Sequence, residues 1–343
     1  MNGEFFNKKK VLVAPLDWGL GHATRCIPVI NKLLANSCTV FIAAEGAVKT
    51  LLQNEFPQLQ ILPIKGYNIS YSRQKWWLPF KMFLQIPKIK AAIKYENQWL
   101  EKIIEEHEID IVISDNRFGL YNKNVYCIYI THQLLIKTGN RFLEKLLQKK
   151  NYRYINRFNE CWVPDNEKEN ILAGELSHPE KMPLIKTVYI GPLSRFEKRE
   201  EEKIYNLLII LSGPEPQRSI LEKIILHQAV NSKKNILLVK GRPDEKQTAT
   251  QRNNLTIVNH LSSTELNKAL QQSKMVICRS GYSSIMDLYA IKQNAILIPT
   301  PGQTEQEYLA KWLMNKRLFY SVPQKNFEMK KAIREALLFY GEN

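Results

Sequence analysis

Short apolar runs alternate along the chain with longer stretches whose apolar residues recur at helical spacing. "VLVA" (11–14), "TVFIAA" (39–44), "LQILPI" (59–64), "IDIVIS" (109–114) and "VYCIYI" (125–130) predict strands, as do the shorter "ECWVP" (160–164) and "VYIG" (188–191). Helical runs such as 22–35 and 88–107 lie between them. Continuous Val/Ile strands separated by helices indicate a parallel sheet covered on both faces. The pattern then restarts. "YNLLIIL" (205–211), "NILLVK" (235–240), "LTIVN" (255–259), "KMVIC" (274–278) and "NAILIP" (294–299) are strands, separated by helices near 216–230, 263–272, 282–291 and 305–314. "SRFEKREEEK" (194–203) is charged, lacks apolar period and reads as a linker. The chain therefore divides into an α/β domain over 1–193 and a second over 204–343. Both are expected to be doubly wound, with ligands at the carboxyl ends of their strands and a cleft between them.

Composition fits this division. A chain of 343 residues suits two domains, and 44% apolar residues suffice for two cores. The five cysteines are scattered and form no C-x-x-C pair, which suits a reducing cytoplasm and disfavours a disulfide framework or zinc site. The apolar run after Lys8-Lys9-Lys10 is too short for a signal segment, and no long apolar stretch predicts a membrane span. The 49 basic and 33 acidic residues leave a net charge of +16, a field that favours anionic partners: nucleic acid, acidic lipid headgroups or a phosphorylated ligand. Lysines merely solvating the surface are the plain alternative, and their distribution decides.

Two turns carry candidate chemistry. In "PLDWGLGHATRC" (15–26), Gly19 and Gly21 fall where the first strand gives way to a helix, and His22 opens that helix. Glycine there allows close approach of a ligand, the helix start offers free N–H groups, and a histidine near neutral pH can accept a proton. Asp17 shares the loop and could orient His22 or act as the base itself. In "VICRSGYSSIMDLYAIKQNAILIPTPGQTEQEYLAKWL" (276–313), a strand ends in Arg279-Ser280-Gly281 before a helix. Ser280, Gly281 and Ser283 suit a diphosphate. Asp287 could accept from two ribose hydroxyls, and Gln303, Glu305, Gln306 and Glu307 suit sugar hydroxyls.

The run Cys278 to Asp287 resembles the S/C-R-x-G-x-x-[ST]-x-x-E nucleotide site of family 28 glycosyltransferases, most nearly the MurG-type enzymes that add N-acetylglucosamine to a lipid-linked precursor. Asp287 stands where that family has Glu. Glu305-Gln306-Glu307 resembles the family's donor-sugar loop, Asp17–His22 its glycine-rich turn, and Thr131-His132-Gln133 its H-E-Q-N. The family's second-domain glycine loop is replaced here by "LSGPEPQRS" (211–219), where Ser212 and Gly213 are nucleotide-sugar candidates and Pro214 and Pro216 remove two donors. The resemblance implies a GT-B fold: two Rossmann-like domains, with the donor nucleotide bound by the C-terminal one and the acceptor by the N-terminal one. It also implies a UDP-sugar co-substrate and no further cofactor. No two of the six aspartates are two residues apart, so no D-x-D metal clamp is expected. Backbone donors and cations are then expected to stabilise the leaving diphosphate.

A basic aromatic insert spans 65–99. Its seven Lys and Arg residues face a single acid, Glu96, and are interleaved with Trp76, Trp77, Phe80 and Phe83. That mixture suits an anionic membrane surface, or alternatively a core face beneath solvated lysines. A second basic run, 137–157, has seven cations and one acid. No RNP, KH or helix-turn-helix pattern points to nucleic acid.

The combined expectation is a cytoplasmic, peripherally membrane-associated, inverting glycosyltransferase acting on a lipid-linked or other glycan acceptor. His22, or failing it Asp17 or Asp115, takes the acceptor proton. Arg279 and the 280–283 amides stabilise UDP, Asp287 holds ribose, and Glu305 and Gln306 hold the sugar. Gly19, Gly21, Asp115, Asn116, His132 and Gln133 shape the acceptor site. Two alternatives stay open. "GLGHATRC" also resembles the G-x-G-H-x-x-R-C turn of nucleotide-sugar hydrolases of pseudaminic acid synthesis, where His22 would activate water. The net charge alone would also serve a non-catalytic polyanion binder.

Overall fold

In the computed structural model, residues 3–67, 78–230, 232–242 and 246–341 are described. The chain divides into two units, Met1–Leu193 and Ser194–Asn343.

The first unit runs α1 (Gly3–Phe6), β1 (Lys10–Pro15), α2 (Leu20–Ala35), β2 (Thr39–Ala43), α3 (Gly46–Glu55), β3 (Gln60–Leu62), α4 (Leu78–His107), β4 (Ile111–Asp115), β5 (Tyr126–Ile130), α5 (Arg141–Ile155), β6 (Glu160–Val163) and β7 (Lys186–Tyr189). Its strands pair in parallel in the order β3-β2-β1-β4-β5-β6-β7. Val11, Leu12, Val13 and Ala14 of β1 are wholly buried, as are Val112 and Ile113 of β4. This is the continuous apolar strand that a sheet covered on both faces requires. The order reverses direction between β1 and β4. Pro15 pairs with Asp115 there, and Asp115 with Ile130, so three strands end at one level. Open α/β sheets bind ligands at such a switch point.

The second unit repeats the plan with β8 (Tyr205–Ile210), α6 (Gln217–Ala229), β9 (Ile236–Val239), β10 (Ala249–Arg252), β11 (Leu255–Val258), α7 (Ser263–Gln271), β12 (Ser273–Cys278), α8 (Tyr282–Ala290), β13 (Ala295–Leu297), α9 (Thr304–Asn315), β14 (Tyr320–Ser321) and α10 (Met329–Tyr340). The sheet order is β10-β11-β9-β8-β12-β13-β14, parallel except for β10 against β11. Its switch point lies between β8 and β12.

The expected linker is not a free tether. Residues 194–203 form no helix or strand, but they are bonded onto the second unit. Ser194 Oγ donates to Asp287 at 2.8 Å, Arg199 N to Gln271 Oε1 at 2.8 Å, and Lys203 Nζ to the Ser273 carbonyl at 2.9 Å. All five cysteines are free and buried. Among the described residues no helix is long and apolar enough to cross a membrane. Trp76 and Trp77 lie outside the described residues. Phe80 and Phe83 fall in the first turns of α4, with their side chains also outside them.

Candidate active site

At the β1/β4 switch point, β1 ends at Pro15 and the chain turns through Gly19, at φ +99°, into α2. No side chain of the N-cap residue caps α2 and its first turn carries no acid, so the positive end of the helix dipole is not offset there by a local carboxylate. His22 sits in that first turn, and Arg25 follows three residues later on the same helical face. Both meet Asp115, the last residue of β4. His22 Nδ1 lies 3.1 Å from Asp115 Oδ2. Arg25 Nε donates to Asp115 Oδ2 at 2.7 Å, and its Nη2 donates to Asp115 Oδ1. Arg25 Nη2 also lies 2.8 Å from His22 Nδ1, and Nη1 lies 3.3 Å from Nδ1 of His132, two residues beyond β5.

The electrostatics follow from this packing. Burial alone would push the Asp115 carboxyl up. Arg25 and His22 outweigh it and hold the carboxyl at about 2, so it is a fixed anion. Burial lowers the His22 imidazole below 6.5, and the Arg25 charge lowers it further, against the opposing pull of Asp115. His22 is therefore neutral at pH 7. His22 Nδ1 is shared between the Asp115 carboxylate, which only accepts, and the Arg25 guanidinium, which only donates. The tautomer a base requires has Nδ1–H donating to Asp115 and the lone pair on Nε2, an atom with no hydrogen-bond partner among the described residues. The His22 side chain keeps 17% of its surface exposed, and Asp115 keeps none. A buried carboxylate orienting a neutral imidazole is the arrangement of a general base.

The structure thus brings His22, Asp115 and His132 together and adds Arg25, which the sequence reading did not single out. The i, i+3 spacing from His22 was the available signal. Asp17 is not part of the cluster. Its Oδ1 accepts from Tyr67 N at 3.3 Å and lies 3.9 Å from Arg117 Nη2, so it fixes the loop and not the imidazole. Asn116 holds a left-handed backbone at φ +58° and accepts from Tyr129 Oη at 3.2 Å. Gln133 is held through its main chain, N to Thr131 Oγ1 and O from Asn151 Nδ2.

In the second unit the turns after β8 and β12 lead into α6 and α8, neither with a side-chain cap or an acid in its first turn. Gly213 turns the first at φ +98°, and a side chain there would reach Thr300 Oγ1 at 3.4 Å. Gly281 caps α8, with open space where its Cβ would be. Ser212 precedes the first turn, and Ser283 lies partly exposed in the first turn of α8. Two helix N-termini at a switch point, neither carrying an acid in its first turn, suit a diphosphate.

Three expected ligand contacts have other partners. Arg279 is 1% exposed. Its Nη2 donates to the Gln217 carbonyl at 2.8 Å and its Nη1 to those of Ile298 and Pro299, so it braces the turns from behind. Ser280 Oγ donates to the Gln306 carbonyl at 2.9 Å. Gln306 Oε1 accepts from Thr300 N at 2.9 Å, holding its own loop together, while Glu305 lies partly exposed beside it.

Asp287 receives the Ser194 hydroxyl. Burial pushes its carboxyl up to about 6, against Arg195 and that hydrogen bond. An acid whose folded pKa exceeds its unfolded 3.8 binds its proton more tightly when folded, so stability falls as pH rises from about 4 to 6 and the loss is complete above that. A gap of about two pH units corresponds to at most roughly 3 kcal/mol. Asp287→Asn is therefore expected to raise stability in urea at pH 7.5, with no gain near pH 4. An unchanged midpoint at pH 7.5 would contradict this.

Two doubly wound units, each with a site at its switch point, define the GT-B class. Residues 207–339 match the Glycosyltransferase family 28 C-terminal domain. An uncharacterized glycosyltransferase of Methanosarcina mazei is 23% identical over 356 residues, covering 96% of this chain and 90% of that relative. The structure of Acinetobacter baumannii MurG aligns with a TM-score of 0.55 at 14% identity, covering 97% of this chain and 91% of that one. That of Arabidopsis thaliana UGT89C1 complexed with UDP-L-rhamnose aligns with a TM-score of 0.62 at 11% identity, covering 96% and 90%. The chain is a glycosyltransferase with the GT-B fold, and its C-terminal unit is similar to the family 28 C-terminal domain. This sets aside a non-catalytic polyanion binder.

Proposed function

We propose that the enzyme transfers a sugar from a UDP-sugar to a hydroxyl of a lipid-linked or other glycan acceptor, inverting the anomeric centre in one displacement. The observation that carries this reading is the neutral His22 held against the Asp115 anion at the β1/β4 switch point. His22 Nε2 takes the acceptor proton as the acceptor oxygen bonds to the anomeric carbon. The bond from that carbon to the UDP oxygen breaks, and the positive ends of the α6 and α8 helix dipoles stabilise the departing charge. Asp287 receives the ribose and Glu305 the sugar. The UDP-L-rhamnose held by a neighbour of the same fold supports a nucleotide-sugar donor.

Action at the inner face of an anionic membrane is supported by a groove on the first unit. An open cavity of about 360 Å³ between α4 and α5 is lined by Lys90, Lys94 and Arg157 among others. The adjoining hollow adds Ile89, Phe118, Ile136 and Leu147, with Lys150. Among the described residues neither lining includes a carboxylate. Cations beside apolar walls match anionic headgroups and their chains.

The test is UDP release from a panel of UDP-sugars, with and without bacterial lipid extract. Lipid-dependent release, with one sugar's mass added to a lipid, is the expected result. Equal release without lipid would mean hydrolysis, with His22 activating water. Release from none of the donors would overturn the UDP assignment.

A further inference from the structure

The basic insert 65–99 has one carboxylate, and that group is the most deeply placed charge on α4. Glu96 is wholly buried, as is Arg117, two residues beyond Asp115. Arg117 Nη1 donates to Glu96 Oε1 at 2.9 Å. The other carboxylate oxygen accepts from Tyr67 Oη at 2.7 Å and Gly119 N at 2.9 Å. Arg117 also reaches the other side of the site. Its Nε donates to the Pro15 carbonyl at 2.9 Å, and its Nη1 to that of Lys65 at 3.3 Å. Tyr67 closes the circuit, since its N–H donates to Asp17 and its hydroxyl accepts from Phe118 N at 3.2 Å.

Two chain segments meet in this network. One leaves β1 at Pro15 and leads to His22. The other leaves β4 at Asp115. Their separation sets the distance between imidazole and carboxylate. We infer that the Glu96–Arg117 pair, with Tyr67, is a positioning device that clamps these two segments and thereby fixes His22 against Asp115 and Arg25.

A buried ion pair gives little net stability compared with apolar residues of the same shape, while breaking one is costly. A chain placing this pair beneath its glycine turn gains a fixed geometry instead. The clamp also hangs from α4, the helix that lines the cationic groove, so the position of that helix is passed to the turn. The inference rests on the reading of His22 and Asp115 as the reacting pair.

The test uses full-length Glu96→Gln and Tyr67→Phe. Two quantities are read: kcat and donor KM for UDP release, and the NMR titration of the His22 ring, its signal identified by its loss in His22→Ala. Small misplacements of reacting groups cost large factors, so kcat is expected to fall about 10-fold or more at unchanged donor KM. The His22 midpoint is expected to rise toward 6.5 as Arg25 and the buried surroundings loosen. A variant that melts earlier but keeps its kcat and its His22 midpoint would show a purely structural role and overturn the inference. If Glu96→Gln does not fold, Tyr67→Phe, which removes one hydroxyl, decides on the same criteria. The ring titration needs no turnover. Failure of the base assignment, seen as full activity in His22→Ala, is therefore distinguishable from failure of the clamp.

Discussion

Replacing His22 with alanine is expected to lower the rate of sugar transfer by about 10²–10⁴-fold, the range for loss of a positioned general base. The donor KM should be unchanged, because the elements proposed to hold the nucleotide belong to the second unit. A loss confined to kcat marks an interaction made in the transition state. The pH profile gives an independent reading. Burial and Arg25 lower the His22 pKa, so it stays a free base below pH 6.5. The acid limb of kcat/KM in wild-type enzyme should therefore lie below 6.5. Near-wild-type turnover in His22→Ala would remove it from the mechanism. Initial rates of UDP release across pH 4.5–8.5 supply both measurements.

The second large effect is expected from Arg25→Met, which keeps length and apolar stem but removes the charge. Asp115 would stay buried without its principal cation, and breaking such a pair typically costs about 3–5 kcal/mol. Urea unfolding at pH 7 measures it. The sign of the pH dependence follows from the folded carboxyl at about 2, below its unfolded 3.8. The stability this gives is fully present above about 4 and lost as pH falls toward 2. Without Arg25 the Asp115 carboxyl rises, so that stability should be largely absent even at pH 7. His22 should move the opposite way to its present shift. Losing a neighbouring cation raises its pKa, so the acid limb of activity should move to higher pH. A variant with wild-type stability and an unmoved acid limb would refute the coupling among these three groups.

The strands were legible because parallel strands buried on both faces read as unbroken Val/Ile runs. β1, β4, β5, β8 and β12 lie within two residues of their expected ends. β10 was not legible. Its four residues, Ala249–Arg252, are all exposed and pair only with β11, so no apolar pattern marks it. The start of α4 was misplaced for a different reason. The helical spacing predicts a helix from 88, yet α4 runs from Leu78 through Pro87, a residue that commonly ends a helix. Of the site, His22, Asp115 and His132 could be named because strand ends at a switch point gather ligands. Glu96 and Arg117 could not, because a buried charge and a solvated one look alike in sequence, whereas Arg25 is marked by its i, i+3 spacing from His22 within "GLGHATRC". Arg279 and Ser280 show the converse. Their motif marks the turn proposed to hold the nucleotide, while their own side chains brace that turn from within the second unit.

The attachment of residues 194–203 to the second unit bears on how the chain should be divided for expression. A fragment beginning at Tyr205, where the strand pattern restarts, would strip Asp287 of the Ser194 hydroxyl and Gln271 of its Arg199 partner. The natural point for a cut, a protease site or an exchange between relatives is after Leu193. A C-terminal half carrying Ser194 at its head would keep Asp287 and the turn before α8 in their native company.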